Sequence, residues 1–131
     1  MRAVAISLTA LLVLVAAASA ATPVRTVAEL KAAPHVGKTV TVFGVVLGSY
    51  LCPPCPMGAM CKPCAHASSI DVSDSPYLGT KGASPAVLVI AVPDPARFLL
   101  HLRYRLEIVV LDARRDGTDA RLLKGELAAP E

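Results

Sequence analysis

One stretch, CPPCPMGAMCKPC from Cys52 to Cys64, limits what this chain can fold into more than any other. It contains all 4 cysteines of the 131-residue sequence, together with Pro53, Pro54, Pro56 and Pro63. Proline fixes φ and removes a backbone donor, so no helix interior or central strand accommodates that density. The stretch is therefore a loop, and β-like runs flank it on both sides. Whatever chemistry it carries comes from sulfur: disulfides, a bound metal or thiol redox.

The amino terminus bears on which of these is expected. Arg2 precedes an apolar run from Ala3 to Ala18, and Ala18-Ser19-Ala20 has the small-x-small form that signal peptidase reads. Residues 1–20 are expected to be a signal peptide, cleaved before Ala21. The run is short for a membrane span, which needs about 20 apolar residues. No later run is as long, so no span is expected after cleavage. The protein is expected to be periplasmic or secreted. Without Arg2 the formal charge falls from +3 to +2, too small a field to attract nucleic acid or anionic lipid strongly. Residues 21–131 fit one small domain with a modest core.

From Ala21 the chain reads in order as follows. Thr26 and Glu29 form a capping-box pattern, followed by Val27, Leu30 and Ala33 at helical spacing, with Pro34 as the stop. This predicts a short helix acting as a lid. Lys38 to Tyr50, KTVTVFGVVLGSY, is rich in β-branched residues and nearly free of charge. Val40, Val42 and Val46 are expected on one face, and Thr39, Thr41 and Phe43 on the other. Gly44 and Gly48 inside it predict a bend or bulge. After the cysteine loop, Ser68 to Ser73 alternates like a half-exposed strand. Residues 74–85 are turn-rich. Ala86 to Val92, AVLVIAV, predicts a strand buried on both faces. Asp94-Pro95 then starts a short helix. Arg103 to Asp112 alternates again, Asp116-Gly117 marks a hairpin, and Ala120 to Leu127 returns as the last strand.

The expected fold is mostly β: a small five-stranded barrel with one or two short helices, and the Cys/Pro-rich loop between strands 1 and 2. Five strands with a helix between the third and fourth, and the opening HVGKTVTVFGVV with its Gly-Lys start and alternating valines, resemble an exported bacterial OB-fold protein over residues 26–127. In that family the loop after the first strand commonly binds ligands, so the resemblance makes 52–64 the place to look. Nucleic acid, a frequent OB ligand, is argued against. Single-strand binding needs aromatic platforms and a positive groove, whereas this chain is 4% aromatic and has no tryptophan. Arg103, Arg105, Arg114, Arg115 and Arg121 gather on the last hairpin, but Glu107, Asp112, Asp116 and Asp119 are expected to balance them.

For the cysteines, an even number in a small exported chain implies disulfides. Four cysteines allow three connectivities. The nested set Cys52–Cys64 and Cys55–Cys61 is favoured, because Cys52 ends one strand and Cys64 lies just ahead of the next. The alternative is a metal site. Cys52, Cys55, Cys61 and Cys64 could hold zinc, or with Met57, Met60 and His66 form a soft set for Cu(I). The gap between the two CxxC pairs is far shorter than in a zinc ribbon. A redox dithiol would need a helix after CxxC to lower the thiol pKa, and Pro56 follows Cys55. Covalent haem needs CxxCH, and His66 comes one residue late. No GxSxG, HExxH or phosphate-loop pattern is present, and Ser68, Ser69 and Asp71 have no base placed near them. The expected function is a non-catalytic binding module without a cofactor, whose stapled loop meets a protein, glycan or small ligand. The alternative is a periplasmic Cu(I)/Zn or thiol-redox protein.

Overall fold

The structure is a computed structural model that describes residues 22–76 and 86–129. The expected signal peptide, and most of the turn-rich stretch before the third strand, lie outside the described residues. The elements run α1 (Val27–Ala32), β1 (Thr39–Tyr50), β2 (Ser69–Ser73), β3 (Leu88–Ala91), a 3-10 turn (Pro95–Arg97), β4 (Arg103–Val110) and β5 (Ala120–Leu127). The five strands form one sheet. Its hydrogen-bonded neighbours run β1-β2-β3-β5-β4 and back to β1, closing a ring.

The long first strand makes closure possible. Thr39 to Val45 pair antiparallel with Val109 to Arg103 of β4, and Val45 to Tyr50 pair antiparallel with Ser73 to Ser69 of β2. The register shifts between Val46 and Gly48, so the strand bulges where it passes from one partner to the other. At Gly44 a Cβ would run into the Val72 side chain, and only glycine lets β2 approach that closely. The ring is completed by a short parallel seam, Ile90↔Ala120 and Ala91↔Arg121.

Alternation fills the interior. Val40, Val42, Val46, Ile70, Val72, Leu88, Ile90, Leu106, Ile108 and Val110 are all buried in one core. The helix α1 packs Val27 and Leu30 into the same core. Its amino end is held twice: Thr26 and Glu29 complete the capping box, and the Asp74 carboxylate accepts from the Val27 and Ala28 amides at 2.8 and 3.0 Å. Phe98, just past the 3-10 turn, meets Tyr104 edge-on at 5.1 Å and packs against the core.

Four local expectations need correcting. The element after Asp94-Pro95 is a single 3-10 turn, and among the described residues the α-helix is the one before β1. Thr41, on the face opposite the core valines, is buried rather than open because Pro23–Arg25 lies along β1: the Thr41 amide donates to Pro23 O and the Arg25 amide to Thr41 O, both at 2.9 Å. Ser69 and Ser73 of β2 are buried as well. A serine side chain barely rises above the backbone, so flanking groups shield it. β3, expected to be covered on both faces, buries Leu88 and Ile90 but leaves Val89 and Ala91 half-exposed.

Candidate functional site

The ring holds the cysteine loop at both ends. Tyr50 and Ser69 pair as the last rung of β1 and β2. Just past that rung, the Cys52 amide donates to Ser68 Oγ at 2.9 Å, and Ser68 O accepts from the Val92 amide at 2.9 Å. The loop is thus tied to β2 and to the end of β3. On the same side the Tyr50 and His66 rings pack at 4.5 Å with a 54° tilt. His66 Nδ1 lies 2.8 Å from Ala67 O.

Between these anchors the loop has no regular secondary structure. Two nested disulfides replace the missing ladder. Cys52 pairs with Cys64 at the base and Cys55 with Cys61 nearer the tip, each with Cα atoms 5.8 Å apart, a normal disulfide separation. The tip is a tight turn in which the Ala59 amide donates to Pro56 O. Gly58 sits at its corner with φ of +83°, a conformation that costs a side chain dearly. Met57 and Met60, on either side of Gly58, are fully exposed at 103% and 104%. Leu51 adds an exposed apolar group at the base. Lys62 is the one formally charged side chain between Leu51 and Ala67. The surface is apolar, soft and weakly positive, and it rests on a covalent frame.

All four sulfurs are spent in disulfides, and no cysteine is free. Among the described residues, no group of three or more His, Cys, Asp or Glu side chains is arranged to hold a metal ion. The zinc and Cu(I) sets would need these disulfides reduced. Of the expected additional ligands, His66 is turned towards Tyr50 and the Ala67 carbonyl, and Met57 and Met60 project into solvent. Two disulfides in so small a domain belong to an oxidising compartment. No helix among the described residues is long and apolar enough to cross a membrane.

The other residues weighed from sequence lie elsewhere. Ser68 is an anchor of the loop, and His35 and His101 are exposed at separate turns. Three of the five hairpin arginines have partners close by. Arg105 lies 4.0 Å from Glu126, Arg114 pairs with Asp112 at 3.2 Å, and Arg103 donates to Asp74 O. Asp119, expected to offset the hairpin arginines, instead pairs with Lys31 of α1 and accepts from the Val89 amide. Nothing in the sequence around Asp74 or Asp119 signals these roles, because both partners are distant along the chain. No protein-family model, curated protein or solved structure matches the chain.

Proposed function

We propose that this protein is an exported, non-catalytic binding module of OB-like form. Its recognition surface is the loop from Cys52 to Cys64, and it works in the periplasm or outside the cell. The observation that carries this reading is the pairing of full exposure with covalent order. Two thioether side chains stand in solvent at the tip of a loop cross-linked twice beneath them. A free loop loses conformational entropy on contact, and a pre-ordered one loses less. Methionine suits the role because its flexible, polarisable side chain adapts to irregular apolar surfaces. The OB-like form is supported by the five-stranded ring, the long bulged first strand and the position of the loop between strands 1 and 2. The nearly neutral loop favours an apolar patch on a protein, glycan or small ligand over nucleic acid.

The test is a photo-crosslinker placed at Met57 or Met60 in the exported chain, with Arg114 as a distant exposed control. Discrete adducts are expected at 57 and 60 but not at 114, and they should disappear when all four cysteines are serine. Equal labelling at 114, or adducts indifferent to the cysteines, would sink the proposal.

A further inference from the structure

The ring is not sealed along its whole length. β5 pairs with β4 from Ala120 to Leu127, but it meets β3 only at Ala120 and Arg121. Beyond that seam, no described residue pairs with the other edge of β5. A groove of about 320 Å³ runs beside this edge, between Leu122–Gly125 and the Pro93–Phe98 connection. An added strand would lie about 4.8 Å from β5, which places it at this groove.

The ladder fixes which backbone groups face the groove. The Ala128 amide donates to Arg103 O at 3.0 Å. Successive residues of an antiparallel strand turn their backbone groups to opposite sides. Ala128, Glu126 and Lys124 therefore point at β4, while Leu127 and Gly125 turn an N–H and a C=O outward. The residues along the edge are Leu123-Lys124-Gly125-Glu126-Leu127. Read antiparallel against itself about Gly125, this run is complementary: Lys124 meets Glu126, Leu123 meets Leu127, and the order repeats on the other side of the centre.

We propose that the free edge of β5 is a two-fold interface for a second copy of this chain. Gly125 sits opposite the partner copy's Gly125, in antiparallel register. In that register the outward groups of the two glycines bond each other, a hydrogen-bonded pair. Lys124 and Glu126 then fall in the non-bonded pairs, where side chains approach most closely. Both project on the outer face beside Arg105 and Glu107. Leu123 and Leu127, exposed by 46% and 62%, cover one another. The charge pattern also selects the register. A slip of two residues in either direction sets Lys124 against a second Lys124, or Glu126 against a second Glu126. Edge lysines and bulges usually discourage strand addition, and here the bulge lies at Leu123. Lys124 and Glu126 pair with each other within the chain at 2.7 Å, and in this register each also meets the opposite charge of the partner copy. So short a strand pair buries less than the roughly 1,200 Å² of a stable interface, so the dimer should be weak and concentration-dependent.

The experiment is sedimentation equilibrium of the mature, oxidised chain over a wide concentration range, with amide exchange at both ends of that range. A reversible dimer is expected, with Gly125 and Leu127 amides protected as concentration rises and Lys124 and Glu126 amides unchanged. K124E and E126K should each weaken the dimer about tenfold or more, since each sets like charges opposite at two places. The double variant K124E/E126K should restore it. Circular dichroism checks that each variant is folded. A chain that stays monomeric throughout, a dimer protected elsewhere, or a dimer indifferent to the single reversals would overturn the proposal. The exchange result on the unaltered chain stands even if a variant fails to fold.

Discussion

At the scale of single residues, two exposed carboxylates report the local electrostatics. The Arg114 backbone amide, and then its guanidinium, hold the Asp112 carboxyl below the ordinary 3.8 of aspartate. Lys124, first by hydrogen bond and then by charge, holds Glu126 below the ordinary 4.5 of glutamate, with a smaller contribution from Arg105. A carboxylate whose pKa is depressed on folding stabilises the native state above its unfolded pKa. That contribution fades as pH falls through the folded value. Both groups lie at the surface, where solvent screens them, so their share of stability is small. The expectation is therefore spectroscopic. Carboxyl carbon titration by NMR should give midpoints below these ordinary values, and both should move up in R114A and K124A respectively. A midpoint at the ordinary value in the unaltered chain would contradict the pairings. These two pairs are local in sequence and so could be anticipated from charge spacing. The Asp74 cap on α1 could not, because it joins positions 47 and 46 residues apart.

At the scale of the element, the two disulfides should not be equivalent. Cys52–Cys64 closes a 12-residue separation at the base, and Cys55–Cys61 a separation of 6 inside it. In the chain-entropy account the outer bridge alone contributes about 3 kcal/mol. The inner bridge constrains a loop already closed, so it adds less to stability and more to the order of the tip. Urea denaturation of C52S/C64S should show a loss of about 3 kcal/mol, against a smaller loss for C55S/C61S. A larger cost for the inner pair would show that the tip packs on the body more than its exposure implies. The loop itself was legible from proline density, β4 from strict alternation, and β5 as the return after the Asp-Gly turn. The covering of β3 was not. An apolar run does not say which of its faces finds a neighbour, and Val89 and Ala91 are merely half-covered. Likewise, nothing in Pro23–Arg25 reads as a strand. It is held by the edge of β1 rather than by its own pattern.

At the scale of the whole molecule, the ring is strong on one side and weak on the other. β1 and β4 share a seven-rung ladder, whereas β3 and β5 touch at two. Asp119 makes up part of the difference. Its amide donates to Val89 O and its carboxylate accepts from the Val89 amide, at 2.9 and 2.8 Å. Its carbonyl accepts from the Leu111 amide, and its carboxylate also meets Lys31 at 3.1 Å. One residue thus joins α1, β3, the end of β4 and the start of β5. D119A would leave the part-buried Val89 amide without its acceptor, a loss of about 1–3 kcal/mol. D119N keeps an acceptor for Val89 and gives up the partly exposed ion pair, which contributes about 0–1 kcal/mol. Amide exchange should then separate the two sides of the ring. In D119A, protection should fall at Val89 to Ala91 and at Ala120 and Arg121, while the β1–β4 ladder keeps its own. Uniform loss across all five strands would mean that the ring opens only as a whole. In that case closure, rather than this clasp, sets the cooperativity of the fold.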